Sequence, residues 1–168
     1  MSVIFSSGGV AIIVREIRPD DASALRWGFD HLSAQSRHQR FLVPKPKISS
    51  GEVRYLTQID GTDHFALVAV LADDPEMIVG VARFVRSRDD PAVAEMAIVI
   101  ADELQGQGLG KRMGLLVADA ARERGIERFV ATMLSENVAA HRIFRTISTR
   151  LQSGYTGGVR ELVAELAA

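Results

Sequence analysis

The chain contains no cysteine. A thiol nucleophile, a disulfide framework and a thiolate metal site are thereby excluded. Net charge is almost nil, with 20 Lys and Arg against 21 Asp and Glu. Bulk electrostatics therefore gives no reason to expect nucleic acid or an anionic membrane as a partner. Histidine is scarce, and His31, His38, His64 and His141 have no metal-ligand spacing, so no metal is expected. Met1 to Val14 has no basic leader region, and its apolar run is too short for a signal peptide or a membrane span. A cytoplasmic location is the expectation. No internal repeat and no low-complexity segment occur. At 168 residues, 47% hydrophobic and 24% charged, the composition fits one globular domain over 1–168 with a sizeable core.

Periodicity places the elements. Ala11 to Ile17 alternates as a first strand. Pro19-Asp20-Asp21 starts a helix running to about Leu32, with Leu25, Phe29 and Leu32 on one face. A short helix over Ser33 to Phe41 carries Arg37, His38 and Arg40. Val43 to Lys47, with two prolines, is a stiff loop. Ser49 and Glu52 have capping-box spacing, so Ser50 to Gln58 is predicted helical. Phe65 to Leu71 is a strand buried on both faces, Asp73 to Glu76 a turn, and Met77 to Val85 and Ala92 to Ile100 the further arms of a meander. A helix from Leu109 to about Arg124 buries Leu109, Met113, Leu116, Val117, Ala120 and Ala121, and Gly125 stops it. Arg122, Arg124 and Arg128 read as a solvated face. Arg128 to Leu134 is a strand, Glu136 to Ile147 a helix, and Leu151 to Leu166 a hairpin turning at Thr156-Gly157-Gly158. This order predicts an α+β protein, a mixed α/β architecture.

Between the third meander strand and the long helix lies Gln105-Gly106-Gln107-Gly108-Leu109-Gly110-Lys111-Arg112. Glycines let the backbone approach a ligand, and the first amides of the helix point outward with the positive end of the dipole behind them. Such a turn holds phosphate. A Walker loop fails, because Lys111 is followed by Arg112 and not by Ser or Thr. A dinucleotide fingerprint fails at its third glycine, where Met113 stands.

Gln105, Gly108 and Gly110 fit Gln-x-x-Gly-x-Gly, which resembles the pyrophosphate-binding motif of the GNAT superfamily of acetyl-CoA-dependent N-acyltransferases. Leu134 to Phe144 resembles that family's helix after the splayed strand, where Asn137 and Ala140 would contact the cofactor. Asp89 to Ala97, Leu32 to Phe41 and Leu56 to Asp60 resemble a narrower group, the bacterial protein-lysine acetyltransferases of the Pat type. The resemblance covers about Arg18 to Glu165. It implies a GNAT fold, a mostly antiparallel central sheet flanked by helices, and acetyl-CoA as co-substrate. The cyclic-nucleotide domain and the acyl-CoA-synthetase-like domain of known members have no room in 168 residues. One departure is Phe144, where many family members place a Tyr that protonates the leaving thiolate. Another is Ile147-Ser148 in place of Gly-Phe.

The resemblance also makes Glu95 the general base. Glu95 lies inside an apolar strand, where an unpaired carboxylate is costly. Such a group lines a cavity or meets a cation, and the structural alternative is an ion pair with Arg83 or Arg37. Glu95 to Ile100 spans roughly 16 Å of strand, comparable to a pantetheine arm. With pyrophosphate on Gly106 to Lys111, a thioester would arrive near Glu95. Ile98, Val99 and Ile100 would offer main-chain groups to the pantetheine amides, as an added strand does. Lys111 is expected to meet phosphate ahead of Arg112, with solvated first-turn cations as the alternative. Asn137 also suits a helix N-cap. His141 is a backup proton carrier, and His38 with Arg37 and Arg40 either shapes the acceptor side or forms a surface ion-pair helix. The resemblance implies a protein lysine on a metabolic enzyme as acceptor. A small amine is the second reading, and an acyl-CoA-binding sensor without turnover the third. A wide groove would favour protein, and a deep acidic pocket a small polycation.

Overall fold

The computed structural model describes residues 2–167. Two strands, β1 (Ser2–Ser7) and β2 (Val10–Glu16), open the chain as a hairpin turning through Gly8 and Gly9, both at positive φ. Three helices follow a 3-10 turn: α1 (Ala22–Asp30), α2 (Ala34–Phe41) and α3 (Ser50–Thr57). The meander comprises β3 (His64–Leu71), β4 (Asp74–Arg86) and β5 (Val93–Ile100). Then come α4 (Leu109–Glu123), β6 (Arg128–Leu134), α5 (Val138–Ile147), β7 (Ser148–Thr156) and β8 (Val159–Leu166). One eight-stranded sheet has the order β1-β2-β3-β4-β5-β6-β8-β7. Every neighbouring pair is antiparallel except β5–β6. The predicted α+β sheet is therefore the fold observed.

Local chemistry explains the ends. Ser33 accepts from the Ser36 N–H at 3.1 Å to start α2. Ser49 accepts from the Glu52 N–H at 3.0 Å while Glu52 accepts from the Ser49 N–H at 3.3 Å, completing the predicted capping box. β3 is buried from Phe65 to Val70, as a strand covered on both faces must be. One face of the sheet packs on α4 and α5 through Phe84, Met96, Met113, Val117, Phe129 and Phe144. The other packs on α1–α3 through Leu25, Phe29, Ile48, Val53, Val68 and Val81. The α4 stripe is buried as expected, except that Leu116 is only half-buried.

Four local expectations differ from the structure. β1 precedes the first predicted strand; six residues give little periodicity, and the signal present was Gly8-Gly9. The β3–β4 turn is Ala72-Asp73, because a register shift pairs Leu71 with Asp74 and leaves Pro75 to Met77 outside the ladder. α5 starts at Val138 with Asn137 as its cap. Arg124 is not a solvated cation: it lies 4.3 Å over the Phe65 ring and donates to the Gly61 carbonyl at 2.9 Å.

The α4–α5 contact needs a missing side chain. A Cβ on Gly114 would sit 2.7 Å from Ile143 Cγ2. That branched methyl has little freedom to move away. Gly114→Val is expected to destabilise the fold by about 1–3 kcal/mol, a drop of several degrees in thermal unfolding. Ile143→Ala in the same chain should recover part of the loss.

Candidate active site

β5 and β6 pair over three residues only: Val93 with Arg128, Ala94 with Phe129 and Glu95 with Val130. Beyond them β5 stays on β4 as far as Ile100 and β6 stays on β8 as far as Leu134. The sheet therefore splits into a wedge. Strand alternation decides which main-chain groups face it. The Ala92 carbonyl accepts from β6, at the Arg128 N–H, while the Val93 carbonyl and Ala101 N–H bond toward β4. Even-numbered residues of β5 thus face the wedge. Ile98 and Ile100 present their N–H and C=O groups there, whereas those of Val99 belong to the β4–β5 ladder. Val99 lines the groove by its side chain alone, which corrects the expectation of three consecutive main-chain contacts.

The glycine turn closes one end of the wedge. Gly106 and Gly108 have φ of +76° and +90°, a conformation that favours glycine. Gly108 is the N-cap of α4 and no side chain caps the helix. The first bond back to the cap comes from the Arg112 N–H, at 3.1 Å to the Gly108 carbonyl. The N–H groups of Leu109, Gly110 and Lys111 are left for a ligand. Lys111 is exposed and has no ion-pair partner among the described residues. Arg112 instead lies 4.3 Å over the Phe5 ring.

A groove of about 250 Å³ gathers most of the expected residues: Ile98, Val99, Ile100, Gln105, Gly106, Gly108, Gly110, Lys111, Asn137 and Ala140. Three expected residues stand apart. Leu109 has its side chain fully buried in the core, so only its N–H remains. Gln107 packs its amide onto Gly8 and donates to the Glu103 carbonyl at 3.3 Å, while its own carbonyl lies 3.4 Å from Ser7 Oγ. The turn of β1–β2 therefore buttresses the glycine turn. Phe144 lies deeper, in a second cavity of about 200 Å³ that also holds Glu95, Leu42, Thr132 and Met133. Gln39, Arg40, Ile98, Asn137 and Ala140 line both spaces, making one path from the glycine turn to Glu95.

Glu95 lines the second cavity, as its place in an apolar strand suggested, and is exposed there. Among the described residues it has no ion pair. The two structural partners considered are committed elsewhere. Arg37 donates to the carbonyls of Phe29, Asp30 and Pro46. Arg83 donates to the Leu56 carbonyl. His141 lines neither cavity. Burial, with the charges of Arg160 and Arg145, lowers its pKa and favours the neutral ring. Asn137 caps α5, its Oδ1 accepting from the Ala140 N–H at 3.2 Å, which leaves its amide nitrogen for the groove.

Of the third wall, sequence reasoning named only Arg40, as one reading of the acceptor side, and missed Ser36 and Gln39. Ser36, Gln39 and Arg40 come from one face of α2 at i, i+3 and i+4 spacing, the signal that was available. Gln105 fastens this wall, donating to Ser36 Oγ at 3.1 Å and to the Ile100 carbonyl at 2.9 Å. Ser36 Oγ and the Ser33 N–H in turn donate to Asp102. Burial works against the Asp102 charge, but these bonds outweigh it and hold the carboxyl below its usual range. Leu42 ends α2 at φ 66°, a strained turn costing about 1–3 kcal/mol that redirects the chain beside Glu95.

His64 on β3 is strongly perturbed. Burial, then the Arg83 charge, push its pKa down to about 4. The unfolded chain takes up this proton near 6.5, so stability is full above that pH and falls as pH drops from about 6.5 to about 4. Urea denaturation across that window should show the decline in wild type, and His64→Gln should flatten it.

Comparison with known proteins agrees with this geometry. The acetyltransferase (GNAT) domain profile matches residues 11–148. Acetyltransferase Pat of Mycolicibacterium smegmatis is 33% identical over 139 residues, 77% of this chain, and the match spans 38% of that protein's length. An acetyltransferase of Pseudomonas aeruginosa is 31% identical over 150 residues, covering 89% of this chain and 77% of that one. The crystal structure of the GNAT domain of S. lividans PAT superposes with a TM-score of 0.87 at 27% identity, covering 98% of this chain and 97% of that one. With its split sheet, its glycine turn and a profile match over most of its length, the chain belongs to the GNAT family of acetyltransferases.

Proposed function

We propose that the chain transfers an acetyl group from acetyl-CoA directly to an amine, and that the amine is a lysine side chain of a protein. The observation that carries this reading is the single path from the glycine turn to an exposed, unpaired Glu95. Acetyl-CoA supplies an acetyl group already activated as a thioester. The N–H groups of Leu109, Gly110 and Lys111, with the Lys111 ammonium, hold pyrophosphate. Ile98 and Ile100 pair with the pantetheine amides as a neighbouring strand would. Gln105 occupies the Ile100 carbonyl, so the Ile98 N–H and C=O and the Ile100 N–H remain for this role.

Glu95 accepts a proton from the incoming ammonium, directly or through one water. The neutral amine then attacks the acetyl carbonyl, and main-chain N–H groups of β5 facing the wedge stabilise the developing oxyanion. Phe144 offers no hydroxyl to the departing thiolate. Water can supply that proton, since a thiol of pKa about 8.5 gives a fair leaving group. Without cysteine there is no thiol to carry an acyl-enzyme, so kinetics should be sequential.

Two features support a protein acceptor. Glu95 is exposed at an open notch, and Arg40 beside it makes the surroundings basic. A small polycation would need an acidic pocket, and Glu95 is the one carboxylate lining this notch among the described residues. The similarity to Acetyltransferase Pat points the same way.

Glu95→Gln is expected to lower kcat about 10²- to 10⁴-fold with acetyl-CoA affinity unchanged within twofold, read by CoA release on lysine peptides and small amines. Turnover on small amines alone would reject the protein acceptor. CoA binding with no turnover on anything would make the chain an acyl-CoA sensor.

A further inference from the structure

The face of the sheet under α1–α3 carries charge that the transfer chemistry leaves unused. Arg83 of β4 is 5% exposed. Its Nη1 donates to the Leu56 carbonyl at 3.0 Å and to His64 Nε2 at 2.9 Å, which requires a neutral His64 ring with an accepting nitrogen. Among the described residues its Nε and Nη2 make no hydrogen bond, and no carboxylate lies within 4 Å. Arg40 of α2 has its guanidinium 4.8 Å over the Phe41 ring, with no hydrogen bond or ion pair among the described residues. Lys45 shares that ring but is neutralised by Glu52 at 2.7 Å.

Both arginines line one cavity of about 60 Å³, otherwise walled by Leu25, Phe29, Leu56 and Val99. Two cations facing an apolar space, neither in an ion pair among the described residues, are costly, and an anion relieves both. Burial, then Arg40, lower the Arg83 pKa, while burial alone outweighs the favourable charge of Glu95 on Arg40. Tyr55 and His64 are further titratable groups beside the pair, and Arg37 and Lys45 lie over Phe29 and Phe41 of the same wall.

The location identifies whose anion it is. Arg40 lines the notch at Glu95 as well as the groove, but Arg83 lines neither, and the cavity the two arginines share has no residue of the phosphate-holding turn in its wall. A cavity with room for about two waters at ~30 Å³ each suits a carboxylate, which a guanidinium fork binds in two places. We propose that Arg40 and Arg83 form a carboxylate subsite for the acceptor, so that the amine presented to Glu95 belongs to a molecule that also bears a carboxylate. This rests on the acetyltransferase reading above. The carboxylate is an acidic side chain next to the acceptor lysine in a protein, or the carboxylate of a free amino acid.

Two acceptor pairs separate these sources: Lys-Asp against Lys-Asn peptides, and free lysine against cadaverine. Wild type should favour the carboxylate member of one pair by tenfold or more in kcat/KM. Preference in the peptide pair identifies the side chain, and preference in the other pair the free amino acid. Arg40→Met should bring the ratio near one, and Arg40→Lys should leave it between. Arg83→Met is informative only where circular dichroism matches wild type; Arg40, with no hydrogen bond or ion pair among the described residues, carries the test otherwise. A wild-type ratio near one in both pairs, or a ratio untouched by Arg40→Met, overturns the subsite and leaves the transferase intact. Calorimetry with the same acceptors in the presence of CoA covers the converse. Tighter binding of the carboxylate member without turnover would keep the subsite and reject the transferase.

Discussion

Everything at this site depends on β5 and β6 parting after three paired residues. A parallel pair that continued would consume the main-chain groups of Ile98 and Ile100 and leave no groove. A sheet that splits exposes strand edges inside a protein, where unpaired amide groups are costly. The split is held open from both sides. β5 keeps its ladder to β4 and β6 its ladder to β8, so neither strand can swing across. Below, α4 and α5 meet closely at Gly110 and Gly114, pressing Ile143 into the base of the wedge. Gln105 then closes the last exposed carbonyl, that of Ile100, with a side chain and ties it to α2.

The wedge also sorts charge. Its glycine end offers neutral amides and Lys111, which is unpaired among the described residues, and its Glu95 end offers a carboxylate with Arg40 in the same wall. α2 spans the two. Ser36 fastens the helix at the turn, Gln39 walls the middle, and Arg40 reaches three cavities at once. A short helix held by Ser33, Asp102 and Gln105 at its start and by the strained Leu42 at its end has little freedom to shift. Its arginine is therefore presented at a fixed position.

Much of this was legible in the residues. The buried run Phe65 to Val70, the Ser49–Glu52 box and the glycine turn each carry a local physical signature, and each lies where its signature put it. The groove residues of the turn and of the strand before it were legible because the two are adjacent in sequence, whereas Asn137 and Ala140 were named only through the family resemblance. What escaped was long-range. Nothing in Val93 to Ile100 tells that its middle carboxylate faces solvent, because exposure is set by the departure of β6 some 35 positions later. Nor does alternation within β5 reveal which parity faces the gap until its partner on the other side is known. The wall from α2 depends on Gln105 reaching Ser36 across 69 positions. Arg83 was legible only as an ion-pair partner for Glu95 and Arg40 only as one way to shape the acceptor side; that they share a cavity follows from α1–α3 packing on this face of the sheet.

The N-terminal hairpin adds a consequence of its own. Its glycine pair abuts the glycine turn, with Gln107 seated on Gly8, Ser7 against the Gln107 carbonyl and Arg112 over Phe5. Either turn alone would sample many backbone conformations, since glycine gives up more freedom on ordering than any other residue. Interlocked, each restricts the other before any ligand arrives. The entropy of shaping the phosphate cradle is thus lost during folding, and a ligand meets amides already aimed, so its binding free energy goes into contacts and not into ordering the loop.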